Sequence, residues 1–248
     1  MSSGDDIFRG DSVASGGDLI HLRGVRKRYG SKEVHRGIEL TVKKGEVLTL
    51  MGGSGTGKSV LLRSIIGLER PDSGSIHFHG VDVTKLREEE LVEVRRRIAY
   101  VFQYGALFDS YTVFENLAYP LREHTELDEH AIREKVAEAL AQVGLAGSEQ
   151  LLPSDLSGGM QRRVGVARAI ILEPEVILYD EPTTGLDPYN TKQILRIILQ
   201  LQEQGATSVL VTHDMHSIFE VTDRVAFLRG GTIQALGSAK EIQESPDP

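Results

Sequence analysis

The stretch Gly45-Glu46-Val47-Leu48-Thr49-Leu50-Met51-Gly52-Gly53-Ser54-Gly55-Thr56-Gly57-Lys58-Ser59 decides how the rest of the chain must be read. Val47 to Met51 is an apolar run of strand length that feeds straight into a glycine-rich loop. Beyond the loop, Val60, Leu61, Ile65 and Ile66 are the apolar positions of a predicted helix over Ser59–Gly67, with Gly67 placed to end it. Strand, loop and helix in this order are the context that the phosphate-loop pattern requires, and Gly52-Gly53-Ser54-Gly55-Thr56-Gly57-Lys58-Ser59 fits that pattern in full. Glycines let successive backbone N–H groups turn toward phosphate oxygens, and the helix N-terminus favours negative charge. Lys58 is expected to reach β- and γ-phosphates, and Ser59 to place its hydroxyl on Mg²⁺. Val60 closes the predicted contact segment.

Outward from this loop the pattern repeats. Val176 to Tyr179 reads as a buried strand ending in Asp180-Glu181, two carboxylates at the carboxyl end of a strand, where open α/β sheets place their ligands. A buried carboxylate needs a partner, so Asp180 is expected to bind Mg²⁺ and Glu181 to polarise the water that attacks the γ-phosphate. Ile98 to Phe102 and Thr207 to Val211 are further predicted strands, the first followed by Gln103 and the second by His213. Ile132, Val136, Leu140 and Val143 recur at helical spacing between a capping Asp128 and a terminating Gly144. Ser157–Leu172 and Thr191–Gln204 are also predicted helical. Alternating strands and helices predict an α/β core with a largely parallel sheet. The strand-poor stretch from about Phe108 to Ser157 predicts a helical subdomain inserted into it.

Bulk properties narrow the function. The chain has 248 residues, no cysteine and a formal net charge of −8. Thiol chemistry and Cys-ligated zinc are excluded, and the negative charge argues against nucleic acid as a partner. Val164 to Tyr179, the richest apolar region, is interrupted by Arg168, Glu173 and Glu175, so no bilayer-spanning segment is predicted. Met1–Asp18 is rich in Ser, Gly and Asp and lacks a secretory pattern, and it reads as a flexible tail. His77 and His79 are expected on one strand face without a third metal ligand. Arg95-Arg96-Arg97 is expected to be a solvated helix face or a contact for a partner or lipid headgroups.

Leu156-Ser157-Gly158-Gly159-Met160-Gln161, upstream of the carboxylate pair, resembles the signature of the ABC ATPase family. With the phosphate loop and the paired carboxylates in this order, the chain from Leu19 to about Gly237 is identified as a member. The resemblance implies a P-loop NTPase fold of the ABC ATPase type, α/β, with a RecA-like core, an antiparallel β subdomain and an inserted α-helical subdomain. It implies a tail over residues 1–18, one ABC ATPase domain over 19–240 with the helical subdomain at about 104–160, and a second tail over 241–248. Ser157, Gly158 and Gly159 would close on ATP held by a second copy of the chain, making two composite sites. Tyr29 matches the aromatic that stacks on adenine. Gln103 matches the glutamine that senses Mg²⁺ and the attacking water and links the site to the membrane partner. Gly185-Leu186-Asp187 resembles the loop that communicates across the dimer, and His213 the histidine that contacts the γ-phosphate. The family usually has Gln where this chain has Met160, which leaves the Ser and Gly contacts intact.

Gly52-Gly53-Ser54, the run Gly57-Lys58-Ser59-Val60-Leu61-Leu62 and Met160 together resemble the lipid-transport ATPases of the Mla and Mce systems. That resemblance implies phospholipid or lipid transport at the cytoplasmic face of a bacterial inner membrane. The implied partners are a membrane permease, an Mce-domain lipid-binding protein and a STAS-domain subunit. Relatives of this group often continue, with a tail that contacts neighbouring subunits, past the point where this sequence reads Ser245-Pro246-Asp247-Pro248. Three other readings stay open here: a transport motor for another cargo, a non-transport ABC protein acting on DNA or the ribosome, and a nucleotide switch without hydrolysis. The retained Glu181 argues against the last.

Overall fold

A computed structural model describes residues 7–8 and 17–244. In chain order the strands and helices are β1 (Asp18–Tyr29), β2 (Lys32–Lys43), β3 (Val47–Met51), α1 (Lys58–Ile65), β4 (Ser73–Phe78), β5 (Val81–Asp82), α2 (Glu88–Arg97), β6 (Ile98–Val101) and α3 (Val113–His124). They continue with α4 (Glu129–Gln142), α5 (Gly158–Ile170), β7 (Val176–Asp180), α6 (Pro188–Glu203), β8 (Thr207–Val211), α7 (Met215–Val221), β9 (Arg224–Arg229), β10 (Thr232–Gly237) and α8 (Ala239–Gln243).

Two sheets result. The first follows from strands buried on both faces: β3, β7 and β8 are buried almost end to end and mostly apolar, which suits the interior of a parallel sheet covered by helices. Its order is β10-β9-β3-β8-β7-β6, parallel except for the β9–β10 pairing. The second is antiparallel, in the order β2-β1-β4-β5. The largely parallel sheet read from element alternation therefore holds six strands of the described residues, and the antiparallel subdomain implied by the family resemblance supplies the other four. Pattern alone did not separate them because β1 and β2 carry register shifts that break a period of two. Between β6 and β7 the chain is helical.

Predicted helix ends recur with their capping chemistry. Asp128 accepts from Ala131 N at 2.8 Å to open α4, and Gly144 follows its end with φ 69°. The helix expected from Thr191 starts at Pro188 instead. Asp187 accepts the Asn190 N–H at 3.0 Å, and proline at the first helical position needs no donor.

Three other expectations meet different geometry. β4 ends at Phe78 and His79 turns away with φ 48°, so His77 and His79 do not continue along one strand face. His79 Nε2 lies 2.7 Å from Glu175 Oε2 instead. Arg95-Arg96-Arg97 is partly tied down: Arg95 donates to Ile66 O at 3.2 Å and Arg97 to Glu175 at 3.4 Å. Within the tail expected to be flexible, Phe8 is 5% exposed, edge-on to Phe78 at 5.4 Å, with the Arg97 guanidinium over its ring at 4.4 Å. Residues 1–6, 9–16 and 245–248 lie outside the described residues. Among the described residues no helix is long and apolar enough to cross a membrane.

Candidate active site

The strand register brings the predicted residues to one edge. Leu50 and Asp180 both pair with Val211, and Val101 pairs with Tyr179, so β3, β8, β7 and β6 end side by side. The phosphate loop, the Asp180-Glu181 step, the Gln103 loop and the His213 loop leave the sheet along this carboxyl edge.

The loop keeps its shape through glycines with specific duties. A Cβ on Gly52 would stand 2.3 Å from the Leu228 carbonyl oxygen, so only glycine lets β3 pass β9 here. Gly57 caps α1 in the left-handed region at φ 101°. Between them Thr56 Oγ1 donates to Gly53 O at 2.9 Å, closing the turn through Ser54 and Gly55. Lys58 is 6% exposed, and its ammonium donates to Gly52 O at 2.9 Å and Gly53 O at 3.0 Å. Burial lowers the Lys58 pKa, while Glu181 and Asp180 pull the other way. A cation held by loop carbonyls beside backbone N–H groups is a cradle suited to polyphosphate.

Ser59 Oγ donates to Asp180 Oδ1 at 2.7 Å. The other carboxylate oxygen accepts from Tyr100 Oη at 2.8 Å, and burial pushes the Tyr100 pKa far up, so the phenol stays a donor. Ser59 and Asp180 are two hard oxygen donors in contact, and among the described residues no group of three acidic or His side chains forms a cage. This donor set fits Mg²⁺, which takes few protein ligands and keeps water and phosphate oxygens.

Glu181 stands in the left-handed region at φ 48°, held by its N–H to Val211 O at 2.9 Å. A non-glycine residue in that region is strain of the kind concentrated at functional sites. Its Oε2 accepts from Thr184 Oγ1 at 2.8 Å and lies 3.6 Å from His213 Nδ1. A cleft of about 360 Å³ is lined by Tyr29, Val34, residues of the phosphate loop from Ser54 to Val60, and Glu181. Tyr29 is 45% exposed, with the Lys27 ammonium over its ring at 5.2 Å.

The signature turn stands apart. Ser157 caps α5 by accepting from Met160 N at 3.3 Å, and it is exposed together with Gly158. Among the described residues, neither Ser157, Gly158 and Gly159 nor Gln103 and Asp187 line the cleft. They connect to it through α5. Arg162 donates to Thr184 O at 3.2 Å and to Glu181 O at 3.4 Å, and Arg163 donates to Asn190 Oδ1 at 2.8 Å, beside Asp187. Arg168 donates to Gly105 O at 3.1 Å and Ala106 O at 2.8 Å, just past Gln103.

The family model described as ABC transporter matches residues 35–184, more than half of the chain. The chain belongs to the ABC transporter family. It is 42% identical over 232 residues to the intermembrane phospholipid transport system ATP-binding protein MlaF of Escherichia coli K12, covering 93% of this chain and 86% of that protein. It is equally 42% identical over 233 residues to the probable ribonucleotide transport ATP-binding protein mkl of Mycobacterium tuberculosis. That match covers 94% of this chain, which spans 65% of the mycobacterial protein's length. The ATP-binding cassette MJ0796, solved as a post-hydrolysis dimer bound to ADP and Pi, superposes with a TM-score of 0.83 at 31% identity, over 89% of this chain and 99% of that one.

In this ABC cassette three contacts had no sequence signal. Tyr100 reaches Asp180 only because β6 and β7 are neighbours, and strand order is invisible in a linear pattern. Thr184 and Arg162 hold the Glu181 segment from a turn and from a helix. Their residue types are common in such elements, so nothing singled them out.

Proposed function

We propose that this chain hydrolyses ATP as the nucleotide-binding subunit of an ABC transporter, pairing head-to-tail with a second copy around two ATP. The observation that carries the reading is the convergence of Lys58, the Ser59–Asp180 pair and Glu181 on one sheet edge, with the Ser157 turn outside that cleft.

The loop N–H groups and Lys58 bind the β- and γ-phosphates, exchanging the Gly52 and Gly53 carbonyls for phosphate oxygens at the ammonium. Tyr29 presents its ring to adenine. Ser59, Asp180 and Gln103 are the residues that would hold Mg²⁺, which when bound neutralises charge on the transferred phosphoryl group. Glu181, steadied by Thr184, orients the attacking water and accepts its proton, and His213 stands beside it toward the γ-phosphate. Ser157, Gly158 and Gly159 close over the partner's nucleotide, and Asp187 lies at the junction between the two copies. Closing and opening of this dimer drive the permease.

The cargo reading is phospholipid or another lipid moved between bacterial envelope membranes, at the cytoplasmic face of the inner membrane. It is supported by Gly52-Gly53-Ser54 and Met160 and by the name of the MlaF relatives. The partners would be a permease, an Mce-domain lipid-binding protein and a STAS-domain subunit. A different cargo is the second reading, favoured by the ribonucleotide named for the mycobacterial relatives. Purifying the protein with its native membrane partners and extracting bound lipid for mass spectrometry separates the two. A permease with bound phospholipid supports the lipid reading, and a solute permease without lipid overturns the cargo while leaving the motor.

A further inference from the structure

A buried histidine outside the predicted set touches the phosphate loop. His35 lies on β2, paired with Lys27 of β1, and is fully buried. Its Nε2 is 3.0 Å from the Gly57 carbonyl oxygen. That oxygen is only an acceptor, so Nε2 carries the proton. The other ring nitrogen, Nδ1, is buried with no hydrogen-bond partner. An imidazole so placed is neutral and of one tautomer, and burial holds its pKa below the ordinary value in agreement.

The contact is tight. A Cβ on Gly57 would meet Val34 Cγ1 at 2.4 Å and His35 Nε2 at 2.7 Å, so β2 presses directly on the residue that opens α1. The Gly57 carbonyl also accepts the first helical bond, from Leu61 N at 2.9 Å. It therefore points along α1. Because the peptide unit is planar and trans, the Lys58 N–H in the same unit points the opposite way, out of the helix N-terminus toward the loop. Whatever fixes that carbonyl fixes the direction of a phosphate-facing N–H.

We propose that His35 is a positioning residue for nucleotide binding, clamping the Gly57–Lys58 peptide so that the Lys58 N–H and the start of α1 are preorganised for phosphate. The clamp spans the two subdomains: the antiparallel sheet sets the aim of a loop that belongs to the parallel one. The leftover Nδ1 marks the function as a single donor, since the ring makes one bond and leaves its second nitrogen without a partner.

The proposal rests on the ATP-binding reading, and its test has one arm that does not. In His35→Gln the side-chain amide nitrogen reaches about as far as Nε2 and keeps the donor. His35→Asn falls short, and His35→Leu has no donor. The first arm is hydrogen exchange of residues 52–61 in the nucleotide-free full-length protein. The second is the dissociation constant for Mg-ATP. In His35→Leu and His35→Asn we expect loop amides to exchange roughly ten-fold faster and ATP to bind roughly five- to ten-fold more weakly, the worth of one lost hydrogen bond. In His35→Gln both stay near wild type. Should His35→Leu fail to fold, the Gln and Asn pair decides. Loop exchange that does not distinguish Gln from Asn overturns the clamp, whereas wild-type protein that binds no ATP overturns the nucleotide reading and leaves the exchange comparison to judge the clamp.

Discussion

Asp180 has both carboxylate oxygens engaged, one by Ser59 and one by Tyr100. The phenol therefore sets the rotation of the carboxylate that would face Mg²⁺. Removing the hydroxyl in Tyr100→Phe leaves one oxygen without its donor at a cost of about 1 kcal/mol. The expected outcome is a several-fold rise in the Mg²⁺ concentration for half-maximal hydrolysis with little change in melting temperature. An unchanged Mg²⁺ titration would count against this role. Lys58 belongs to the same scale. Lys58→Ala removes the only charged side chain of the loop Gly52–Ser59, and hydrolysis in the assembled transporter is expected to be lost, as read by phosphate release. Glycine acts here through volume. Gly52→Ala would drive a methyl into the Leu228 carbonyl at 2.3 Å, and overpacking of this kind costs about 1–3 kcal/mol. A drop in the urea midpoint checks it.

At the scale of elements, β2 and α1 meet through His35, and their junction should be felt as pH dependence. Burial, aided by the nearby Lys27 charge, lowers the His35 pKa from its ordinary 6.5, while the Gly57 carbonyl bond opposes the shift. Lys58, the residue after Gly57, is a further cation on the adjoining helix. The unfolded chain takes up a proton below pH 6.5 that the folded His35 refuses, so this stability is complete above that value and falls as the pH drops. The slope from one such group is at most about 1.4 kcal/mol per pH unit. In His35→Gln the loss of stability between neutral and mildly acid pH should be smaller than in wild type, measured by urea unfolding at each pH. The elements themselves were largely legible. α4 announced its cap and its stop, and β3, β7 and β8 were expected as strands within two residues of where they lie. The start of α6 was missed: the helix was expected from Thr191, and the cap-and-proline pair Asp187-Pro188 that opens it went unread. What sequence did not show is which strands lie side by side. Tyr100 and His35 act through contacts 80 and 22 residues away in the chain, and neither residue type is remarkable in a strand.

For the whole molecule, the separation of Ser157 from the cleft is the geometric reason to expect a dimer. One chain carries a phosphate cradle at Lys58 and a second, exposed helix N-terminus at Ser157, and the cleft that contains the first does not contain the second. If each nucleotide is sandwiched between copies, a change at Ser157 must be silent in one chain and decisive in two. A carboxylate at this helix start suits the helix dipole, so Ser157→Glu should leave folding intact. It would set negative charge against the γ-phosphate of the nucleotide on the partner. Single-chain affinity for Mg-ATP should stay within about three-fold of wild type, because one pKa-scale interaction of 1.4 kcal/mol would already be ten-fold. ATP-driven dimerisation should be lost. The clearest background is Glu181→Gln, which removes the base and is expected to hold a closed, ATP-loaded dimer on size-exclusion chromatography. Adding Ser157→Glu to it should return the protein to the monomer while ATP still binds. A dimer that persists in the double variant would place the Ser157 turn outside the interface and require each chain to complete its own site.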